Sequence, residues 1–138
     1  MSLEITQGRQ EGIAIFDLKG RLVIGEEELQ FRGALDRLVR AGENRLVLNL
    51  DDVDEIDTAS VTALLFALAT LRKARGGLAI VNVKPPHIAT LVESRLAAVF
   101  DIFKEDQDAI DSFFPDREFH YYDILEFMRS TQAASAAS

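Results

Sequence analysis

The chain has 138 residues, a net charge of −8 and no cysteine, and 48% of its residues are hydrophobic. This length and apolar content fit one compact domain that needs neither disulfides nor a structural metal to fold. The absence of cysteine excludes thiol catalysis and thiolate metal sites and favours a cytoplasmic location. The acidic balance argues against nucleic-acid binding, which depends on clustered lysine and arginine.

The opening of the chain predicts a β-hairpin followed by a helix. Residues 3–18 form two strand-like stretches around turn-prone residues. A bend is expected over 20–25. From Leu29 to Gly42 apolar residues recur at helical spacing, which predicts a first helix with Leu29 on its buried face.

The middle of the chain predicts two buried strands joined by a helix. Residues 45–50 and 78–83 are short apolar runs, typical of strands that are buried on both faces of a parallel sheet. An acidic loop is expected over 51–57. The apolar stripe over 58–75, with basic residues in its last turn and Gly76-Gly77 behind it, predicts a second helix.

The remaining elements complete a layered α/β domain. A third helix is predicted from Pro85 to Leu96, an edge strand over 100–103 and a short fourth helix over 107–114. These elements predict a mixed sheet of four to five strands flanked by about four helices, with right-handed crossovers between parallel strands. Phe119 to Met128 is too apolar for a disordered linker, so it is expected to bury its side chains.

The segment from Leu46 to Leu65 combines a buried strand, an acidic stretch and a hydroxyl residue at a helix start. It resembles the signature of the STAS domain family of anti-sigma factor antagonists and their relatives. In that family Asp-Ser-Ser-Gly or Asp-Ser-Ala-Gly opens an amphipathic helix. Here the motif is Asp57-Thr58-Ala59-Ser60, so a serine stands where the family has glycine.

The resemblance extends over residues 3–114, from the bend at Gly20-Arg21-Leu22 to the predicted fourth helix. It implies a STAS-like fold for residues 1–114. Residues 115–129 lie outside the usual domain and are expected to pack on the domain or a partner, with a possible homodimer contact over 116–129. Residues 130–138 are small and polar and are predicted to form a disordered tail.

The resemblance implies a non-enzymatic bacterial regulator that binds an anti-sigma factor with a kinase-like ATP-binding domain. In the family the hydroxyl residue after the aspartate is phosphorylated by the partner kinase. Thr58 holds that position, and Ser60 is the weaker candidate. No cofactor is implied, since ATP and Mg²⁺ belong to the partner. The predicted partner-binding residues are Asp54, Asp57, Thr58, Ala59, Ser60, Thr62 and Phe66.

Physical arguments for phosphorylation of Thr58 point in two directions. A helix start favours added negative charge, because its first backbone N–H groups are unpaired and its dipole is positive there. Five acidic residues within 51–57 would repel a phosphate. Without the resemblance, Thr58 would be interpreted as a helix N-cap, or Asp57 if the helix began one residue earlier.

The spacing of the second helix predicts that Phe66 lies off its buried stripe and is exposed. A lone exposed aromatic residue is often incidental, but interfaces are enriched in such residues. Phe66 is therefore a candidate anchor for a partner.

Other functions find less support in the residues. Clustered carboxylates suit Mg²⁺, and Lys84-Pro85 after a strand is similar to a phosphorylation receiver domain, but the acidic residues that a receiver needs after its first strand are missing. The two histidines show no catalytic spacing. His87 is expected at the surface, and His120 is expected to pack with the C-terminal segment.

Two non-enzymatic alternatives stay open. The protein could be a permanent scaffold subunit of a stress-signalling or lipid-transport assembly, or a small-ligand sensor domain. No direct membrane insertion is expected, because the longest uncharged run, Thr58 to Leu71, is shorter than the roughly 18 apolar residues of a membrane span. No secretory signal is expected from the N-terminal residues.

Overall fold

The computed structural model describes the backbone of residues 3–137 and the side chains of residues 3–131. The strands are β1 (Glu4–Gln10), β2 (Ile13–Leu22), β3 (Arg45–Ile56), β4 (Gly77–Val81) and β5 (Asp101–Phe103). The helices are α1 (Glu26–Arg40), α2 (Val61–Lys73), α3 (Pro85–Glu93), α4 (Asp106–Asp111) and α5 (Ile124–Ala137). A short 3₁₀ helix over Ala97–Val99 lies between α3 and β5.

The five strands form one mixed sheet in the order β1-β2-β3-β4-β5. The first pair is antiparallel and the other three pairs are parallel. Glu11 and Gly12 join β1 to β2 with positive φ angles of 52° and 80°, as a two-residue hairpin turn of the primed type requires. The predicted hairpin and mixed α/β sheet are therefore confirmed.

Helices cover the two faces of the sheet unequally. The larger hydrophobic cluster lies under α1, α2, α3 and α5 and contains buried residues from all four helices. The smaller cluster lies on the opposite face and joins Val47 and Val81 to Ala109 and Ile110 of α4. Consequently the chain passes to opposite faces after β4 and after β5.

The predicted acidic loop over 51–57 is wrong, because β3 continues through the acidic residues to Ile56. The register with β2 shifts twice, since Asp17 pairs with Asn49 but Lys19 pairs with Asp52, and a second shift follows. Each shift inserts an extra residue into β3, as in a β-bulge, so its buried positions there fall at every third residue instead of alternating. Sequence alternation therefore failed to identify this part of the strand.

The prediction that Leu29 is buried is also wrong, since its side chain is 69% exposed. The buried residues of α1 are Phe31, Leu35 and Leu38, at the i, i+4 and i+7 positions of one face. Leu29 lies two residues before Phe31 and therefore points away from that face.

Gly76 allows a close approach between the end of α2 and the start of β3. A Cβ atom at Gly76 would lie 1.6 Å from the backbone oxygen of Asn44. The same oxygen accepts a hydrogen bond of 2.9 Å from the Gly77 N–H, and the Asn44 side chain donates one of 3.0 Å to the Ala74 carbonyl. These contacts align β4 beside β3.

The C-terminal segment packs along β5 and α3. The Tyr122 N–H donates a hydrogen bond of 2.8 Å to the Ile102 carbonyl, which extends pairing beyond β5. Asp123 accepts the Glu126 N–H at 3.0 Å and so caps α5. Ile124 is 4% exposed and joins the larger cluster.

Helix α5 includes residues 130–137, for which the sequence predicts a disordered tail. Four alanines lie in this stretch, and alanine has the highest intrinsic helix propensity. Ser138 lies outside the described residues. Within the described part of the chain, no helix is long and apolar enough to cross a membrane.

Candidate functional site

The junction of β3 and α2 is organised by Asp57. One carboxylate oxygen accepts the Ser60 N–H at 2.7 Å, and the other accepts the Ile24 N–H at 3.1 Å from the segment before α1. Burial raises the pKa of Asp57, but hydrogen bonds from the Ile24 and Ser60 N–H groups outweigh it, so the pKa lies below its ordinary value. Asp57 therefore remains ionised and joins the starts of α1 and α2.

Thr58 lies on the exposed turn that follows Asp57. Residues 58–60 form this turn, and α2 begins at Val61 rather than at Thr58 as predicted. The helix-capping role falls to Asp57, and within the described residues the Thr58 hydroxyl forms no hydrogen bond. Thr58 and Ala59 are both exposed, so the hydroxyl is open to solvent and to a partner.

Ser60 and Thr62 differ sharply in accessibility. Ser60 is fully buried, and its Oγ atom has no hydrogen-bond partner of good geometry. Its backbone is helical at the N-cap of α2, and its side chain is enclosed by the protein. Thr62 is exposed in the first turn of α2. A kinase could therefore reach Ser60 only after local opening of this turn.

Phe66 is 43% exposed on α2, which confirms the exposure predicted from the helical spacing. The guanidinium carbon of Arg32 lies 4.5 Å from the centre of its ring, as in a cation–π contact. An ion pair of 2.8 Å with Glu28 on α1 holds Arg32 in place. Phe66 is thus partly covered in the free protein by a charged side chain from α1.

Acidic side chains surround the turn. Asp54 is exposed near the end of β3, and Glu55 forms an ion pair of 2.7 Å with Arg21 on β2. Because β3 continues through these residues, they are held on a strand rather than on a flexible loop. The surface beside Thr58 therefore has a fixed negative character.

Two exposed aliphatic residues near this surface are missed by the sequence analysis. Ile24 is 63% exposed and is joined to Asp57 by its backbone N–H. Leu29 is also exposed and lies three residues before Arg32 on α1. The exposure of Ile24 could have been predicted from its position in the expected bend over 20–25, because an apolar side chain in a bend has little sheet or helix to pack against.

The positions of both histidines differ from the predictions. His87 is only 4% exposed at the start of α3, and its Nδ1 atom has no hydrogen-bond partner. It is buried because α3 packs directly on β3, a tertiary contact that the spacing of the sequence does not reveal. His120 is exposed, because the neighbouring aromatic residues Phe119 and Tyr121 pack with Phe103 without it.

We expect the burial of His87 to make the stability of the protein sensitive to mild acid. Burial lowers its pKa, the nearby Lys84 lowers it further, and Asp54 opposes the shift only in part. Since the unfolded chain then binds a proton more readily, the free energy of unfolding should fall as the pH drops below about 6.5. Each unit of pKa depression contributes about 1.4 kcal/mol.

Urea unfolding between about pH 7.5 and pH 5.5 measures this effect. The His87→Leu variant should lose most of the pH dependence, whereas His120→Gln, which alters an exposed histidine, should keep it. An unchanged pH dependence in His87→Leu would assign the effect to other groups.

The described residues contain no group of three or more histidine or acidic side chains arranged to hold a metal ion. The features of the junction are an accessible hydroxyl, fixed carboxylates and an exposed aromatic ring. Such a surface suits binding to another protein and modification of the hydroxyl.

Comparison with known proteins agrees with this architecture. The chain is 28% identical over 112 residues to BtrV of Bordetella bronchiseptica, which is named as an anti-sigma factor antagonist, covering 80% of this chain and 95% of BtrV. A Thermotoga maritima structure named in the same way superposes with a TM-score of 0.72 at 20% identity, covering 79% of this chain and 93% of that one.

A third similar structure is that of the Bacillus cell fate determinant SpoIIAA in its phosphorylated form. Its TM-score is 0.60 at 17% identity, and the match covers 79% of this chain and 98% of SpoIIAA. At sequence identities this low, the two structural superpositions show a shared fold alone. The sequence model of the STAS domain matches residues 4–109. This match confirms the resemblance drawn from the motif, and the chain therefore belongs to the STAS domain family.

Proposed function

We propose that this protein is a non-enzymatic regulator that binds an anti-sigma factor with a kinase-like ATP-binding domain and is switched by phosphorylation of Thr58. The observation that carries the proposal is the exposed, unbonded Thr58 hydroxyl at the β3–α2 junction. Exposed Phe66 and Thr62 on α2 and Asp54 on β3 extend the proposed docking surface on either side of it.

The similar proteins support this proposal. BtrV is named as an anti-sigma factor antagonist, and SpoIIAA has been solved in a phosphorylated form. The present chain shares their fold and has a hydroxyl residue directly after Asp57 at the start of α2.

Electrostatics favours a switch that acts by repulsion. Asp57 already accepts the Ser60 N–H at the helix start, so a phosphate on Thr58 would compete with a carboxylate for this positive end. Phosphorylation would add about −2 charge to a surface that is already acidic. Docking would then bury a larger cluster of like charges, whose desolvation and mutual repulsion lower the affinity for the partner without any change of fold.

The test is phosphorylation with purified components. The protein is incubated with ATP, Mg²⁺ and each kinase-like anti-sigma factor encoded in the source genome, and the tryptic peptide over residues 46–72 is analysed by mass spectrometry. We expect one phosphate on Thr58 and none in the Thr58→Ala variant. The exposed Thr62, in the same peptide, provides an internal control for nonspecific modification.

Two outcomes would contradict the proposal. Phosphate confined to Ser60 or Thr62 would reject Thr58 as the switch residue. Absence of phosphate with every such kinase, together with stoichiometric co-purification with a partner, would favour a permanent scaffold subunit.

A further inference from the structure

A crevice forms where the chain leaves β4 and β5 in opposite directions. After β4 the chain turns into α3, whose Ile88 and Leu91 are buried in the larger cluster. After β5 it turns into α4, which packs on the other face through Ala109 and Ile110. In open α/β sheets, ligands bind in the crevice at the carboxyl ends of strands whose connections diverge in this way.

The crevice at these strand ends has a volume of about 390 Å³. Its apolar wall is formed mainly by Tyr122, from the segment outside the STAS domain match, because the other two apolar lining residues, Val83 and Phe103, are buried. Lys84 follows β4 and Lys104 follows β5, and both residues line the crevice.

Asn82 lines the crevice and links β3 to α4 through its side chain. Its backbone has a φ of 60°, a left-handed conformation that asparagine tolerates better than most residues. Its amide nitrogen donates to Asn49 on β3 at 2.9 Å and to Asp106 of α4 at 3.1 Å. These hydrogen bonds fix the Asn82 side chain between β3 and α4.

The crevice is lined by equal numbers of positively and negatively charged side chains. Two carboxylates, Asp51 and Glu105, line it together with Lys84 and Lys104. Among the residues that the structure describes, none of these four groups forms an ion pair. Lys104 lies 5.9 Å from the centre of the Tyr122 ring. The positive end of α3, which has no acidic residue in its first turn, opens beside Lys84.

We propose that this crevice binds a small zwitterion of the amino-acid class. The ligand carboxylate would lie between Lys84 and Lys104, and its ammonium group would face Asp51 and Glu105. The apolar wall would contact its side chain. A polyanion such as a nucleoside triphosphate fits poorly, because it would place several negative charges against the two acidic side chains. The proposal does not depend on Thr58 or on any protein partner.

NMR titration of the full chain with individual L-amino acids at millimolar concentration tests the proposal. We expect at least one of them to cause saturable amide shifts at residues 82–84 and 103–105. Inorganic phosphate, which supplies the anion without the ammonium group, should cause smaller shifts at the same concentration. No saturable shift with any L-amino acid would reject the proposal, and equal binding of phosphate would reject a zwitterion in favour of a simple anion.

Substitutions then test the assigned side chains. Lys84→Gln and Lys104→Gln should each weaken binding of the responding amino acid about tenfold, as expected for loss of a charge-assisted contact. Lys73→Gln removes the same charge from an exposed site at the end of α2 and should leave the affinity unchanged. Unchanged affinity in both crevice variants, with the fold confirmed by their spectra, would overturn the site.

Discussion

The Thr58→Asp variant should bind the anti-sigma factor at least about tenfold more weakly than the wild-type protein, a loss of about 1.4 kcal/mol or more. The added carboxylate would face the partner beside Asp54 and Asp57, where the surface is already negative. Docking of the partner would exclude the water that screens these neighbouring carboxylates from one another, so burying one more of them costs binding energy. Isothermal titration calorimetry with the purified partner measures the change.

Two variants control this experiment. Thr58→Ala removes the phosphorylation site without adding charge and should retain the wild-type affinity. Thr131→Asp makes the same charge change at an exposed position on α5 and should also bind normally. If Thr131→Asp weakens binding as much as Thr58→Asp does, net charge rather than the β3–α2 junction governs recognition. Full affinity in Thr58→Asp would contradict a switch that acts by charge at this position.

Deleting residues 116–138 should lower the free energy of unfolding by on the order of 5 kcal/mol. The deletion exposes the core beneath Ile124 and removes the partly buried Phe119, Tyr122, Phe127 and Met128. It also removes the hydrogen bond that the Tyr122 N–H donates to the Ile102 carbonyl. The edge of β5 is then open to pairing with another chain. Urea unfolding and light scattering measure the stability and the solution mass.

A milder substitution keeps this prediction testable if the truncated chain does not fold. Ile124→Ala should cost about 2–5 kcal/mol, as expected for a buried isoleucine, whereas Leu125→Ala, at the exposed neighbouring position, should cost much less. Equal effects of the two variants would contradict packing of α5 on the domain. If the truncation instead converts a dimer into a folded monomer of unchanged stability, residues 116–129 form a homodimer contact rather than part of the core.

Much of the candidate site could be predicted from local signals. The residue order Asp57-Thr58-Ala59-Ser60 identified the junction, and helical spacing correctly predicted exposure of Phe66. The sequence left Thr58 and Asp57 open as the cap, and the hydrogen bond from the Ser60 N–H assigns the role to Asp57. Only the tertiary structure revealed that Asp57 also binds the N–H of Ile24, from a distant part of the chain. Local sequence could not reveal that Ser60 is buried, because the turn before α2 determines the direction of its side chain.

The sequence by itself determined the α/β architecture. The apolar runs at 45–50 and 78–83 can be stabilised only by burial on both faces, and the periodicity of α2 requires an apolar face against the sheet. Tertiary structure decided the length of β3, the burial of His87 and the crevice between β4 and β5. Each depends on contacts between residues far apart in the chain, namely the bulged β2–β3 register, the packing of α3 on β3, and the placement of α3 and α4 on opposite faces.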